Sequence, residues 1–212
     1  MQADQRSKTL VIPTYTVNDK LEYMAYECAK SHRAQVDQII ISEDGGSYSD
    51  KLREIADIYI YSHHNIGFTK NVNRAWNLSE SDFTIIANSD TVLMSGNLGD
   101  ICKDDPLKVC SPHIENQQVS DNGFSAFYFV VPRGLKEQYG MLDERLKNFQ
   151  SDRDYYYRIR DDFLSDTRVS VFHYKSQTVD ASGIDIKEES RADSLVYDQM
   201  LIDEYPERII RK

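Results

Sequence analysis

Short apolar runs alternate with segments of helical periodicity through the first half of the chain, and this alternation constrains the fold more than any other feature. Each apolar run ends at a proline, a glycine or a polar cluster, as buried strands do. Alternating strands and helices form a parallel sheet with helices on both faces. The sequence therefore predicts an α/β, Rossmann-like and mostly parallel sheet. The predicted strands are Lys8–Ile12, Gln38–Ser42, Ile58–Tyr61 and Phe83–Ala87, and the predicted helices are Asp19–Ala34, Lys51–Ala56 and Thr69–Leu78.

The second half of the chain is less regular. Strands are predicted at Lys108–Ser111, Phe124–Val131 and Val169–His173, and a helix is predicted at Asp152–Asp161. From Ile186 onward the chain is charged, with an apolar stripe at Leu195, Val196, Met200 and Leu201, which predicts a helix packed on the domain surface. We expect a single domain over residues 1–180 and a C-terminal helical extension over residues 181–212.

Net charge, the lengths of the apolar runs and the cysteine spacing limit the kinds of partner and the compartment that we expect for this chain. The formal net charge of -10 repels phosphate backbones, so we expect no extended nucleic-acid face. No apolar run is long enough to span a bilayer, and the N-terminus lacks the pattern of a secretory signal. Cys28, Cys102 and Cys110 form no Cys-x-x-Cys pair, which predicts buried free thiols in a reducing compartment. These features predict a cytoplasmic protein without a transmembrane segment.

Polar residues follow the predicted strands of the first half. Thr14, Asp44, Asn65 and Asp90 each come just after a predicted strand. The carboxyl ends of parallel strands meet at one edge of a sheet, where ligands bind in α/β folds. Asp44 stands beside two glycines, so it can accept a hydrogen bond from a base or a ribose, or else stabilise a glycine-rich turn. The sequence predicts a ligand crevice at this edge.

The run from Asn65 to Arg74 contains a glycine turn that opens a helix. The first amides of such a helix can face an anion, and Lys70 and Arg74 add positive charge. The alternative is a capped helix start with solvated basic side chains.

Asn88-Ser89-Asp90-Thr91 directly follows an apolar strand, so Asp90 has little freedom. A carboxylate held in this way can bind Mg or Mn, which prefer oxygen ligands and bridge the phosphates of a nucleotide sugar. His173 ends another predicted strand and can complete the coordination. An Asx-turn at Asp90 and a structural role for His173 are the alternatives.

Asp152 and Asp154 fall at a predicted helix start, with Arg158 four residues after Asp154. Carboxylates favour helix N-termini, so both can be simple caps. Alternatively, Asp152 points into the crevice and removes a proton from a hydroxyl group that attacks a sugar carbon.

Taken in order, these segments resemble the GT-A fold glycosyltransferases, specifically the large inverting family that includes rhamnosyltransferase-like enzymes. The resemblance covers about Leu10 to Ser176. It rests on Val11-Ile12-Pro13-Thr14-Tyr15, Asp44-Gly45-Gly46-Ser47, Asn65-Ile66-Gly67-Phe68 with Asn73-Arg74, Asn88-Ser89-Asp90-Thr91, Leu142-Asp143-Glu144 with Asp152 and Asp154, and His173-Tyr174-Lys175-Ser176. Asn88 stands where many relatives carry an aspartate, and Ser151 stands where they carry a glutamate.

The resemblance implies an inverting, metal-assisted transfer of sugar from a nucleotide-diphosphate donor, with UDP preferred, to a glycan or other hydroxyl acceptor. It implies a nucleotide-binding half over residues 8–92 and an acceptor half over residues 93–180. A nucleotidyltransferase acting on sugar phosphates and a non-catalytic carbohydrate-binding protein are the alternatives. The implied site residues are Asp152 and Asp154 for catalysis, Asp90 and His173 for Mn or Mg, and Pro13, Thr14, Tyr15, Asp44, Gly45, Asn65, Gly67, Asn73 and Asn88 for the donor.

Overall fold

A single mixed sheet organises the chain in a computed structural model, which describes residues 6–101, 106–116, 123–124, 126–175, 177 and 185–205. The described strands follow the order β3-β2-β1-β4-β7-β6-β8-β5 across the sheet. Their bounds are β1 Lys8–Thr14, β2 Gln38–Asp44, β3 Ile58–Ser62, β4 Phe83–Ala87, β5 Thr91–Ser95, β6 Val109–Ile114, β7 Tyr128–Pro132 and β8 Phe163–His173.

The first four strands of the sheet are parallel, and the remainder is mixed. β1 pairs in parallel with both β2 and β4, and β2 pairs in parallel with β3. β7 runs antiparallel to β4 and β6, whereas β8 runs parallel to β6 and antiparallel to β5. This arrangement confirms the predicted α/β fold with a regular first half and a less regular second half.

Six helices flank this sheet in the described residues. They are α1 Asp19–His32, α2 Asp50–Ile55, α3 Phe68–Trp76, α4 Arg133–Tyr139, α5 Ser151–Ile159 and α6 Ile186–Asp203. Local capping explains where several begin: the Asn18 side chain accepts from the amide of Leu21, and the Ser49 side chain accepts from that of Leu52. These bonds satisfy amides that the first turn of a helix leaves unpaired.

Alternate residues of the central strands face opposite layers of helices. Leu10 and Ile12 of β1 pack in one cluster with Ala25 and Cys28 of α1. Val11, between them in the sequence, packs in a second cluster with residues of α3 and α5. The period of two along a strand produces this division, and it buries both faces of the sheet.

Two elements have no counterpart in the sequence prediction, namely β5 and α4. β5 has five residues and only its first and third are buried, so its apolar signal is weak. α4 begins directly after Pro132, where the apolar run of β7 ends. β7 itself begins at Tyr128 rather than at Phe124, and the predicted strand also included Ser125, which lies outside the described residues.

The C-terminal helix exists, but part of the predicted apolar stripe faces solvent. Leu195 is 64% exposed, whereas Tyr197 and Met200 are buried and pack with Leu146. Leu201 joins this cluster from its edge. A helix that carries apolar residues on more than one face does not reveal which face packs, because tertiary contacts decide it. The first and last parts of the predicted extension, 181–184 and 206–212, lie outside the described residues.

The prediction of buried free thiols is confirmed for one cysteine and wrong for another. Cys28 is a buried free thiol, but Cys110 is disulfide-bonded. Cys102 lies outside the described residues. The expectation of a reducing compartment drew on free thiols, and the bonded Cys110 removes that support. Within the described ranges, no helix has both the length and the apolar character needed to cross a membrane.

A buried histidine joins α1 to β7. The Nδ1 of His32 lies 2.7 Å from the carbonyl oxygen of Cys28, and its Nε2 lies 2.9 Å from the hydroxyl of Tyr128. The ring is fully buried, and this burial lowers the pKa of His32 to about 4. The imidazole is therefore neutral in the folded protein over the range in which a solvated histidine gains its proton.

The depressed pKa predicts an acid-dependent loss of stability. Between pH 6.5 and pH 4 the unfolded state binds the proton at position 32 and the folded state does not, so the free energy of unfolding falls as pH falls. We expect this group to remove about 2–3 kcal/mol between pH 7 and pH 4.5. Urea unfolding at both values should show a smaller fall for His32→Gln than for wild type. Equal falls in the two proteins would contradict a neutral buried His32.

Candidate active site

A cleft of about 590 Å³ opens at the edge of the sheet where β1, β2 and β4 end. This is the edge at which α/β sheets bind ligands. The segments lining the cleft come from the first strands, from the end of β8 and from the start of α5. Of the predicted residues, those that line it are Pro13, Thr14, Tyr15, Asp44, Asn65, Asn88, Asp90, Asp152 and His173.

Asp44 ties the end of β2 to the loop that precedes α3. Its two carboxylate oxygens accept hydrogen bonds from the amides of Ile66, at 2.7 Å, and Gly67, at 3.1 Å. Burial raises the pKa of Asp44, and the two amide hydrogen bonds counter part of that rise. Because a carboxylate offers about four acceptor positions, Asp44 can still receive a hydrogen bond from a ligand in the cleft.

A second carboxylate, Glu43, organises the loop after β1, although it is not among the predicted site residues. It is fully buried and accepts from the Thr14 hydroxyl at 2.8 Å, the Thr16 hydroxyl at 2.7 Å and the Gly46 amide at 2.9 Å. Its one available signal is an acidic residue at the end of an otherwise apolar strand. Glu43 therefore fixes Thr14, which lines the cleft.

Gly45 and Gly67 lie behind the cleft wall and do not line it. Both adopt positive φ, of 81° and 92°, which side chains disfavour. A Cβ on Gly45 would lie 2.4 Å from the backbone nitrogen of Asn65, and one on Gly67 would lie 2.5 Å from the Cγ of Lys147. These glycines therefore allow the end of β2 and the segment around Lys147 to approach the loop that precedes α3 closely.

Replacing Gly45 with alanine should destabilise the protein by about 1–3 kcal/mol, because the Cβ adds a backbone clash to an unfavourable φ. Urea unfolding measures the change. Gly134→Ala is the matched control, since a Cβ there meets no atom within 4 Å and the residue lies in α4. We expect Gly134→Ala to leave stability unchanged or raise it by up to about 1 kcal/mol. Equal effects at the two positions would refute the close packing of Gly45.

Asn73 and Arg74 face the protein interior rather than the cleft. The Asn73 amide group donates to the carbonyl of Leu142 at 2.8 Å and accepts from the Leu142 amide at 3.1 Å. Arg74 donates to the Ser42 hydroxyl at 2.8 Å and to the Glu43 carbonyl at 3.0 Å. These contacts join α3 to neighbouring segments, so Asn73 supports the site from outside the cleft.

The two predicted metal ligands meet in the cleft although they are far apart in the sequence. The Nε2 of His173 lies 3.2 Å from the Oδ1 of Asp90, and the residues are 7% and 4% exposed. The imidazole stacks on the ring of Phe127, with centroids 3.9 Å apart and an interplanar angle of 13°. Pairing of β5 with β8 creates this contact, since Thr91 lies opposite His173.

The donor set around Asp90 fits a divalent cation that also binds a ligand. The buried Oδ1 of Asn88, in the same cleft, has no hydrogen-bond partner among the residues that the structure describes. Those residues contain no cluster of three His, Cys, Asp or Glu side chains able to hold a metal alone. Mg and Mn are commonly held by one or two carboxylates together with substrate phosphates and water. Asp90 and His173 lie in contact and could serve as such ligands, and Asn88, which lines the same cleft, could add a neutral oxygen.

Asp152 and Asp154, the two acidic residues in the first turn of α5, have different surroundings. Asp152 is exposed, lines the cleft and accepts a hydrogen bond at 2.8 Å from the amide of Arg153. Asp154 is 1% exposed and forms an ion pair at 2.9 Å with Arg158, which also donates to the carbonyl of Met141. Of the two carboxylates, Asp152 faces the cleft and Asp154 faces the packed interior.

Comparison with known proteins supports the fold independently. No protein-family model matches the chain, and no curated protein sequence does. Solved structures do match: S. aureus TarS 1-349 with UDP-GlcNAc has 12% identity and a TM-score of 0.66, covering 92% of this chain and 66% of that one. GalNAc-T7 with UDP, GalNAc and Mn2+ has 12% identity and a TM-score of 0.73, covering 95% and 50%.

A further structure of S. aureus TarS 1-349 has 14% identity and a TM-score of 0.59, covering 94% of this chain and 73% of that one. This chain therefore spans from half to about three quarters of the length of these three solved chains. TarS and GalNAc-T7 have the GT-A architecture. The likeness at this level of identity is one of architecture, and the chain has the GT-A fold.

Proposed function

We propose that this chain is an inverting glycosyltransferase that moves a sugar from a nucleotide-diphosphate donor to a hydroxyl group of a glycan or another acceptor. The observation that carries the proposal is that Asp90, His173 and Asp152 line one cleft at the ligand-binding edge of a GT-A sheet. A UDP-sugar is the preferred donor, in keeping with the UDP-GlcNAc and UDP bound to the similar proteins.

The donor nucleotide occupies the side of the cleft formed by the ends of β1 and β2. Pro13, Thr14 and Tyr15 line the cleft there, together with Asp44 and Asn65. The Asp44 carboxylate accepts a hydrogen bond from an N–H of the base or from a ribose hydroxyl. Two backbone amides hold this carboxylate in place, and its oxygens can still accept further hydrogen bonds. Gly45, Gly67 and Asn73 contribute by positioning these segments.

Asp90, His173 and Asn88 are the residues that would hold Mn or Mg. A bound cation would neutralise the negative charge that develops on the diphosphate as it leaves. Asp90 would supply a carboxylate oxygen, and Asn88 would supply an amide oxygen at the position where many enzymes of the family that the sequence resembles carry an aspartate. Phe127 keeps the imidazole plane fixed, so that Nε2 of His173 stays directed at Asp90.

Asp152 is the general base in this proposal. It stands in the first turn of α5 and lines the cleft, where its carboxylate can take the proton from an acceptor hydroxyl. The hydroxyl oxygen attacks the anomeric carbon from the side opposite the diphosphate, which inverts that centre. Asp154 has no part in this step, because its carboxylate is engaged by Arg158.

A thermal-shift screen of nucleotides with and without MnCl2 tests the proposal. UDP at about 100 times its dissociation constant should stabilise the protein by about 2.7 kcal/mol, and only when manganese is present. Incubation with a UDP-sugar and manganese should then release UDP as the hydroxyl of an added acceptor, or water, takes the sugar. Release of pyrophosphate from a nucleoside triphosphate would instead identify a nucleotidyltransferase. Nucleotide binding without turnover of any donor would identify a non-catalytic binding protein.

A further inference from the structure

One side of the cleft, which we call the acceptor side, is formed by residues 148–150 and the start of α5. Residues 148–150 belong to no helix or strand. Asn148, Phe149 and Gln150 line the cleft, and α5 begins at the next residue, placing Asp152 within two residues of Gln150. Gln150 adopts φ 63°, a left-handed conformation that costs energy in residues other than glycine. A segment of this kind keeps one conformation only where its surroundings hold it.

Asp193 of α6 provides the main hold on this segment. Its carboxylate accepts three backbone hydrogen bonds, from Lys147 at 3.0 Å, Asn148 at 2.8 Å and Phe149 at 2.7 Å. The residue is only 4% exposed. Three consecutive backbone amides that point to one place form an anion-binding site. In this protein the anion is the buried carboxylate of Asp193 itself.

Further contacts from α6 reach the same segment. The Ser194 hydroxyl accepts from the Gln150 side chain at 3.1 Å, and Glu189 accepts from the Asn148 side chain at 3.1 Å. Ser190, one turn before Ser194, lines the cleft itself. The helix therefore packs directly behind the acceptor side and contributes one residue to its wall.

The other side of the segment holds the start of α3. The Asn148 side-chain oxygen accepts from the amide of Phe68 at 3.0 Å, and the carbonyl of Lys147 accepts from the amide of Thr69 at 3.0 Å. These amides follow Gly67, whose own amide binds Asp44. One continuous set of hydrogen bonds therefore links α6, through residues 147–150, to the start of α3 and the loop that precedes it.

We propose that Asp193 is a positioning residue of the active site, and that α6 is an integral part of the acceptor side rather than a separate C-terminal extension. This inference rests on the proposed function for its effect on transfer. Asp193 holds Lys147, Asn148 and Phe149. The next residue, Gln150, leads into α5, and its carbonyl accepts from the amide of Asp154 in the first turn of that helix. Without this carboxylate, three backbone amides lose their hydrogen-bond partner at once. Asp152 can then move away from the position in which it accepts the proton of the acceptor hydroxyl.

Amide hydrogen exchange tests the structural part of the inference without requiring any activity. In Asp193→Asn, the amides of Lys147, Asn148 and Phe149 should exchange about 10-fold to 100-fold faster, as expected when hydrogen bonds to a charged acceptor are lost. Asp198→Asn is the matched control, because Asp198 is an exposed carboxylate on the same helix. Exchange at residues 147–149 should not change in the control. Unchanged exchange in Asp193→Asn would overturn the inference.

Steady-state kinetics test the functional part. Asp193→Asn should lower kcat for UDP release by about 10-fold or more, with the dissociation constant of UDP and manganese within about threefold of wild type. A role confined to folding predicts a lower melting temperature with normal kcat in the protein that remains folded, and that result would overturn the inference. If Asp193→Asn does not fold, Ser194→Ala removes only the bond to Gln150 and should give a smaller fall in kcat.

The two proposals fail in different ways. If wild type turns over no UDP-sugar, the proposed function fails, while exchange at residues 147–149 still decides whether Asp193 holds the segment. If wild type is active and Asp193→Asn exchanges faster but transfers sugar at the normal rate, the segment is held by Asp193 and the positioning role is wrong.

Discussion

Asp90→Asn is expected to abolish manganese-dependent binding of UDP and to lower turnover by at least about 100-fold. Asparagine has nearly the same shape as aspartate, but the site then holds no charged oxygen ligand. The other two proposed ligands, His173 and Asn88, carry no carboxylate, and the buried position of Asp90 leaves little access for a replacement carboxylate. Isothermal titration with UDP, with and without MnCl2, measures the loss of binding, and UDP release measures the loss of turnover.

Asp50→Asn is the control for Asp90→Asn, because Asp50 is exposed at the start of α2 and does not line the cleft. It should bind UDP and manganese as wild type does. Melting temperatures of both variants should be measured, so that a loss of binding is not confused with a loss of folded protein. Wild-type UDP affinity in folded Asp90→Asn, at equal manganese, would exclude Asp90 as a ligand.

Asp152→Asn should reduce turnover by about 10²-fold to 10⁴-fold while leaving UDP affinity nearly unchanged. The reason is that a general base acts on the acceptor hydroxyl during the chemical step and has no contact with the nucleotide. Comparing kcat with the dissociation constant of UDP separates these two effects. The variant should also fold normally, since Asp152 is exposed and its one described hydrogen bond is to the neighbouring amide.

Asp154→Asn is the matched comparison within the same helix turn. It breaks a buried ion pair and leaves Arg158 without its carboxylate partner, which should cost about 3 kcal/mol of stability. We therefore expect a lower melting temperature in Asp154→Asn and lower turnover in Asp152→Asn. The reverse pattern, with full turnover in Asp152→Asn and inactive but stable Asp154→Asn, would show that the base is Asp154.

The parallel half of the fold can be predicted from the sequence because each of its strands is marked by a short apolar run of its own. The apolar run Phe83–Ala87 coincides with β4, and Gln38–Ser42 falls within β2. In each case a run of buried residues ends at polar residues, and no distant contact is needed to recognise it. The ends of these strands also indicated where Asp44 and Asp90 would lie, since carboxyl ends of parallel strands share one edge.

The remainder of the site depends on contacts between distant segments. His173 reaches Asp90 because β5 pairs with β8, and β5 itself has too weak an apolar pattern to be recognised. Asp152 and Asp154 have the same local signal, and only the packing of Arg158 against Asp154 separates them. The roles of Glu43 and Asp193 come from backbone amides that converge on them, which no spacing in the sequence records.

Anomalous diffraction from crystals soaked with MnCl2 and UDP tests the central claim most directly. The account predicts one manganese peak in contact with the Asp90 carboxylate and with Nε2 of His173, and UDP density with its uracil and ribose beside Thr14 and Asp44. Manganese bound elsewhere, or UDP absent from this cleft at saturating concentration, would contradict the account.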